Sequence, residues 1–163
     1  MSSGDTDDAA HYVAERLLAT VREDLGRADL KASVLLSGAV AVPALVLARG
    51  VPAGLPGLAL GFLAAGGVLW TGGALLLLAV IAPRTGTVRS VPGPTFYADA
   101  LAATDPAALR RAAAEAGADR VGWLLAQFRD ASVILAAKYR WLRRSAALFG
   151  AGLLLAALTP VVG

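Results

Sequence analysis

Three stretches of the chain are uncharged and strongly apolar, and they lie at residues 32–48, 50–83 and 145–163. A helix crosses the hydrocarbon core of a bilayer in roughly 17 to 25 residues. The first stretch lies at the short end of this range, and the second contains room for a helix long enough to span with tilt. Continuous apolar blocks suit lipid, whereas a soluble core needs apolar stripes. The pattern therefore predicts three transmembrane helices.

The second stretch opens with the sequence GVPAGLPG, which is typical of a turn. Proline is disfavoured inside a helix, and glycine adopts backbone angles that other residues avoid. We therefore expect a tight turn at residues 52–57, a helix over about 58–82, and a transmembrane hairpin made with the first span. Pro43 lies inside the first span, where neighbouring helices can satisfy the carbonyl that it leaves free.

Two heptad patterns precede the first and third spans, with apolar positions in alternating steps of four and three. They consist of Ala14, Leu18, Val21, Leu25 and Ala28, and of Val121, Leu125, Phe128, Ser132, Leu135, Tyr139 and Leu142. Such a seam packs against another helix, in the same chain or in a second copy. Neither pattern meets a helix breaker before its span. We predict two cytoplasmic helical stems that are continuous with the spans and run in the same direction.

The predicted fold is all-α, an integral membrane helical bundle with a hairpin and a third, C-terminal span. Its segments are an N-terminal amphipathic helix (1–30), the transmembrane hairpin (31–83), a cytoplasmic loop with helices (84–144) and the third transmembrane helix (145–163). In the third segment, Asp105 followed by Pro106 predicts a helix start. Gly117 ends or loosens that helix, and a long helix begins at about residue 118.

The distribution of cations predicts the orientation in the membrane. Every Lys and Arg except Arg49, in the hairpin turn, falls on one side if the chain crosses three times. By the positive-inside rule that side is the cytoplasm, so the N-terminus is predicted inside and the C-terminus outside. A signal peptide does not fit the first apolar block, because acidic residues precede it and it begins too far into the chain.

Composition excludes several chemistries. Hydrophobic residues make up 57% of the 163 residues, and there is no cysteine, so disulfides, thiolate metal sites and cysteine nucleophiles are excluded. The single histidine, His11, is interpreted as a surface residue, and Glu115 and Asp119 as solvated ion-pairing groups. No nucleophile elbow, phosphate loop or dinucleotide fingerprint occurs. We therefore predict no enzyme, no catalytic residue, no metal and no bound cofactor.

Small residues are frequent in the spans. Pairs spaced by four are Gly57 and Gly61, Gly61 and Ala65, Gly67 and Thr71, and Ala146 and Gly150. This spacing favours close helix packing and predicts a homo-oligomer. No ionisable residue lies inside a span, which argues against a proton relay, a voltage sensor or an ion-coupled transporter.

A basic cluster precedes the third span and has two interpretations. Lys138, Arg140, Arg143 and Arg144 are suited first to anchoring at an anionic leaflet, and alternatively to binding a phosphate at the membrane surface. Under the predicted topology, Asp29, Lys31 and Arg84 approach the same level, because each lies at the cytoplasmic end of a span.

Several short motifs together resemble the transmembrane effector of the Pycsar antiphage defence system, the PycTM family. They are RADLKAS before the first span, APR after the second, FYADA in the loop, and Gln127 with KYRWLRRS before the third. The resemblance runs from about Ala9 to the end. It implies that a partner cyclase makes cyclic UMP or cyclic CMP during phage infection. The effector then binds that nucleotide and impairs the bacterial inner membrane, which causes abortive infection.

Within this resemblance we expect the ligand to bind among helices. The phosphate is expected to meet Lys31, Arg84, Lys138 or Arg140, because charge-assisted contacts suit a phosphodiester. The base is expected to stack on Phe96, Tyr97 or Tyr139. Asp29 and Gln127 complete the candidate set, although a cap-and-anchor role also explains Asp29 and Lys31.

Two other functions remain open at this point. One is an oligomeric membrane adaptor without a ligand, and the other is a small immune effector that responds to another cyclic nucleotide or to a protein partner. Under every reading the lipid bilayer is a partner, and no nucleic acid polymer is expected.

Overall fold

The structure is a computed structural model that describes residues 3–50, 54–82 and 105–162. Within these ranges the regular elements are four helices: α1 (Ser3–Arg49), α2 (Gly57–Ile81), α3 (Pro106–Ala118) and α4 (Arg120–Val162). The predicted all-α fold is confirmed.

Three of these helices are long and apolar enough to cross a membrane, namely α1, α2 and α4. In α1 the candidate span and the preceding amphipathic segment form one unbroken helix with Pro43 in its interior. The same holds for α4, which contains Pro160 close to its end. The prediction that both stems continue into their spans is confirmed.

Glycine ends α1 and shapes the hairpin turn. Gly50 has a φ of 77° and Gly54 has a φ of 84°, a region that only glycine adopts without strain. The amide of Gly50 donates to the carbonyl of Leu47 at 3.1 Å, which closes the last turn of α1. Pro56 immediately precedes α2, which begins one residue before the predicted position.

Aspartate side chains cap the two helices that follow. Asp105 accepts a hydrogen bond from the amide of Ala108 at 2.6 Å, and Pro106 is the first residue of α3, as predicted. Asp119 accepts from the amide of Gly122 at 2.8 Å and thereby caps α4. The interpretation of Asp119 as a mere ion-pairing group is corrected, because its carboxylate satisfies a free amide at the helix start. α4 begins at Arg120, two residues after the predicted start.

The chain divides into two compact units. In the described ranges, unit 1 comprises residues up to 26 and 105–135, and unit 2 comprises residues 27–82 and 136–162. Both α1 and α4 contribute residues to each unit. The described parts of the three uncharged, apolar stretches of the sequence belong to unit 2.

Apolar heptad positions of α1 form the core of unit 1. Ala14, Leu18 and Val21 are buried together with Leu124 of α4. Partly buried side chains pack against this cluster: Trp123, Phe128, Ala131 and Leu135. Burial of one such aliphatic side chain contributes about 1.5 to 3 kcal/mol before chain entropy is subtracted. The first stem seam is therefore used within the chain.

The predicted seam of α4 is wrong at two positions. Leu125 is 44% exposed and Tyr139 is 36% exposed, whereas their neighbours Leu124 and Lys138 are buried. The packed face therefore includes Leu124 and the polar residues Gln127 and Lys138, together with Phe128, Leu135 and Leu142 of the predicted seam. Apolar periodicity failed here because these two polar side chains have partners on α1, which compensates for their burial.

In unit 2, α2 and α4 pack through small residues repeated every seven positions. Buried small residues with this spacing are Ala59, Gly66 and Gly73 in α2, and Ser145, Gly152 and Thr159 in α4. A Cβ atom added to Gly152 would lie 2.9 Å from the carbonyl oxygen of Gly66. The hydroxyl of Ser145 donates to the carbonyl of Gly73 at 2.8 Å. Since the pairing order is reversed, the two helices are antiparallel and in backbone contact.

The small-residue pairs spaced by four are not the ones that make these contacts. A Cβ atom added to Gly57, Gly61, Gly67 or Gly150 would meet nothing within 4 Å. A seven-residue repeat is the repeat of helices crossing at a shallow angle, as in coiled coils. The spacing-of-four interpretation is therefore wrong for packing within the chain, and oligomerisation through these residues stays a prediction.

Trp70 joins the three candidate spans. Its indole nitrogen donates to the carbonyl of Ala39 in α1 at 2.7 Å. Its ring lies 4.7 Å, centroid to centroid, from the ring of Phe149 in α4. One aromatic side chain of α2 therefore contacts both of the other helices of unit 2.

Candidate ligand site

Six of the nine predicted ligand residues lie in the described ranges. Arg84, Phe96 and Tyr97 lie outside them. Five of the six belong to unit 2: Asp29, Lys31, Lys138, Tyr139 and Arg140. The sixth, Gln127, belongs to unit 1, so the candidate residues form two groups that are described separately.

The centre of the first group is an ion pair between α1 and α4. Lys138 is only 7% exposed, and its ammonium group donates to a carboxylate oxygen of Asp29. The side chain of Asp29 is 44% exposed. An ammonium group is buried only with a partner, because desolvating it alone costs several kcal/mol. The pair therefore holds the ammonium group of Lys138 in position. The carboxylate of Asp29 stays accessible to solvent, so another anion can take its place.

The local sequence of α1 explains this position. Ala28 and Ala32 are fully buried, and they flank Asp29 in the heptad seam. A side chain that ends at Cβ fills little space between two helices. The long side chain of Lys138 and the short one of Asp29 therefore meet beside two alanines.

A second contact joins the same helices nearby. The ammonium nitrogen of Lys31 lies 5.8 Å from the centroid of the Tyr139 ring, which is a cation–π geometry. Both residues line a groove of about 560 Å³ between α1 and α4. We call it the α1/α4 groove, and its lining consists of Leu30, Lys31, Val34, Leu35, Tyr139, Leu142, Arg143 and Ala146.

Two other cations near the third span, Arg140 and Arg144, lie outside the ion pair and the groove. Arg140 is exposed. The guanidinium of Arg144 lies 5.4 Å from the centroid of the Trp141 ring, and Arg144 does not line the groove. The basic cluster predicted from the sequence is thus spread around α4, with one member buried, one on the groove and two elsewhere.

Gln127 forms a polar contact inside the apolar core of unit 1. Its side-chain oxygen accepts from the guanidinium of Arg22 at 2.7 Å. The side-chain nitrogen of Gln127 is buried and has no hydrogen-bond partner among the described residues, and the same is true of the indole nitrogen of Trp123. Arg22 and Trp123 were not predicted. Gln127 could have indicated these two residues, because a polar side chain buried in an apolar core requires a hydrogen-bond partner.

His11 is partly buried and contacts an acidic residue. Its Nε2 lies 3.0 Å from a carboxylate oxygen of Glu15, and the same oxygen lies 3.2 Å from Arg120. The side chain of His11 is 22% exposed, so the surface interpretation is corrected. Across the described ranges, no group of three or more His, Asp or Glu side chains is arranged to hold a metal ion.

The comparison with known protein families gives one match. Residues 13–163 match the PycTM family, described as the Pycsar effector protein domain. The comparison with curated proteins gives no match, and neither does the comparison with solved structures. The family match covers all three candidate spans, both units and all nine predicted ligand residues. The chain therefore belongs to the PycTM family of Pycsar effector proteins.

Proposed function

We propose that this effector binds cyclic UMP or cyclic CMP and then impairs the bacterial inner membrane. The infected cell is lost, and the infection ends as an abortive infection. Its family consists of membrane effectors and is not an enzyme family. Pycsar effectors are activated by cyclic nucleotides, which a cyclase of the same system supplies. The pyrimidine base, the binding residues and the effect on the membrane are the proposal.

The observation that supports a phosphate site best is the Asp29–Lys138 pair. A cyclic nucleotide carries one negative charge on its phosphodiester, and that charge can replace a carboxylate beside an ammonium group. Lys138 is already buried and oriented, so little side-chain entropy is lost when the partners exchange. Asp29 is open enough to move into solvent. Lys31 and Arg140 are exposed cations that are also proposed to contact the phosphate. Arg84 is proposed for the same role and lies outside the described residues.

The base is proposed to stack on an aromatic ring. Tyr139 is the described candidate, and it is partly exposed beside Lys31. Phe96 and Tyr97 are the candidates that lie outside the described residues. A pyrimidine presents carbonyl oxygens, so an amide or indole donor suits its edge. Gln127 belongs to unit 1 and stays a separate prediction; its side-chain nitrogen has no hydrogen-bond partner among the described residues.

Displacement of Asp29 would change the packing of two spans. α1 and α4 carry the pair and continue without a break into their apolar stretches. A ligand shifts an equilibrium only by its differential affinity for two states. A nucleotide that binds when Asp29 is released from Lys138 has that differential affinity, and it favours the second packing within unit 2. In the proposed homo-oligomer, this change in helix packing would disrupt the membrane.

The deciding experiment is a calorimetric titration of the detergent-solubilised protein with cyclic UMP, cyclic CMP, cyclic AMP and cyclic GMP. We expect heat of binding with at least one pyrimidine nucleotide and weaker binding of both purine nucleotides. Absence of binding to both pyrimidine nucleotides at high micromolar concentration contradicts the proposal.

A double variant separates ligand binding by Lys138 from structural pairing. Lys138→Ala alone should abolish the response, but it also leaves Asp29 without its cation. Lys138→Met with Asp29→Asn removes both charges, and replacing a whole ion pair is often neutral for stability. We expect this double variant to insert and unfold normally while its nucleotide affinity falls by at least about tenfold. Unchanged affinity would show that the pair serves packing alone.

A ligand-free oligomeric adaptor is less well supported. The heptad seam of α1, which would join copies in such an adaptor, is buried against α4 within unit 1. Nucleotide binding with no change in the membrane would still favour a sensor or adaptor over a lesion-forming effector.

A further inference from the structure

The α1/α4 groove combines apolar walls with two cations. Exposed aliphatic side chains line it, including Leu30 at 66% and Val34 at 63% exposure. Lys31 from α1 and Arg143 from α4 complete the lining. A pocket of this volume is within the range that binds small molecules.

The two cations lie at the boundary between polar and apolar sequence. Lys31 immediately precedes the uncharged stretch 32–48, and Arg143 lies two residues before the uncharged stretch 145–163. The phosphate groups of a bilayer occupy such a boundary, and basic pockets between spans bind anionic head groups. Tyr139, which contacts Lys31, is of the residue type enriched at that level.

Residues further along both helices form the deeper part of the groove. Val34, Leu35 and Ala146 follow the two cations by three or four residues on α1 and α4. Their positions fall within the apolar stretches, where hydrocarbon is the surrounding solvent. The groove itself is lined by apolar surface, to which Lys31 and Arg143 contribute the carbon atoms of their side chains. An anionic phospholipid fits this arrangement if its acyl chain lies in the groove and its phosphate meets the charged ends of these two side chains.

We propose that the α1/α4 groove is a binding site for an anionic phospholipid. Its phosphodiester lies between Lys31 and Arg143, and one acyl chain lies along Val34, Leu35 and Ala146. This site requires only that the chain is in a membrane, and it shares Lys31 and Tyr139 with the proposed nucleotide site. It differs from general anchoring by basic residues, because only cations that line the groove contribute.

Adjacent arginines provide a matched test. Arg143 lines the groove and Arg144 lies against Trp141 outside it. The protein in maltoside detergent is titrated with dioleoyl phosphatidylglycerol or dioleoyl phosphatidylcholine, and bound lipid is counted by native mass spectrometry. We expect phosphatidylglycerol to be preferred. Arg143→Ala should weaken its binding about fivefold, the equivalent of about 1 kcal/mol per basic residue, and Arg144→Ala should have little effect.

A second pair of variants tests the acyl-chain part without changing charge. Ala146 lines the groove, and Ala147 is exposed elsewhere on α4. Ala146→Phe should fill the groove and reduce phosphatidylglycerol binding, while Ala147→Phe should leave it unchanged. Both positions are exposed, so neither substitution disturbs the buried contacts of unit 2.

Several outcomes overturn the lipid proposal. Equal binding of both lipids, or equal effects of Arg143→Ala and Arg144→Ala, leaves only non-specific contact. A dimer mass without bound lipid, lost on Ala146→Phe, would assign it to a second copy of the chain.

Discussion

Two glycines keep α2 and α4 at backbone contact in unit 2. An added Cβ at Gly66 would lie 3.0 Å from the carbonyl oxygen of Gly152, and the reverse distance is 2.9 Å. The obstructing atoms are backbone, so the helices must separate to accept a side chain. In a membrane, close backbone approach supplies the van der Waals contact that drives helix association.

Gly152→Ala should therefore destabilise unit 2 by about 1 to 3 kcal/mol, the usual cost of overpacking. Gly150→Ala on the same helix should be neutral or mildly stabilising, because its Cβ meets nothing within 4 Å and alanine favours helix. Thermal unfolding in detergent, followed by circular dichroism, compares the two variants. Equal shifts in Tm would mean that the Gly66–Gly152 contact does not stabilise the protein.

At the scale of elements, α3 and α4 are separated by a single residue. Asp119 lies between Ala118 and Arg120, and it caps α4 through Gly122. The carbonyl of Asp119 also accepts from the amide of Trp123 at 3.0 Å. The bond to Gly122 satisfies one of the amides that a helix start leaves free, and the bond to Trp123 is the first bond within the helix. The cap fixes the start of the helix that carries Gln127, Lys138 and Tyr139.

Asp119→Ala should cost about 1 kcal/mol, the typical effect of losing an N-cap side chain. Asp119→Asn should retain most of the stability, because asparagine caps equally well. The measurement is hydrogen exchange of the amides at residues 120–123, which should be faster only in Asp119→Ala. Glu115→Ala, which also removes an exposed acidic side chain but no cap, is the control. If this control speeds exchange equally, charge and not capping stabilises the helix start.

The whole molecule has three helices that are able to span a membrane. Its orientation stays a prediction from the cations, all of which except Arg49 flank the spans on the N-terminal side of the hairpin or between the second and third spans. Moving lysine or arginine across a bilayer is unfavourable, which is the physical basis of the positive-inside rule.

Single cysteines test this topology without background, since the chain has none. A membrane-impermeant maleimide should label Leu55→Cys, in the hairpin turn, in intact spheroplasts. Ala114→Cys, in α3, should react only after lysis. Labelling of Ala114→Cys in intact spheroplasts would contradict the predicted orientation and, with it, the cytoplasmic nucleotide site.

The three candidate spans, the two unbroken stems, the start of α3 at Asp105–Pro106 and the family were all readable from the sequence alone. Each depends on local properties: apolar run length, the absence of helix breakers, capping residues and short motifs in order. Such properties act within a few turns of helix, so they are readable without knowing what packs against what.

Which face of α4 is buried and which glycines are in contact depend on tertiary packing. Leu124 and Leu125 are equally apolar neighbours, and a shift of one residue turns a helix face by about 100°. The choice depended on Arg22 with Gln127 and on Asp29 with Lys138, polar pairs between residues more than a hundred positions apart. Contacts at that separation depend on where two helices meet, and no single stretch of sequence records this.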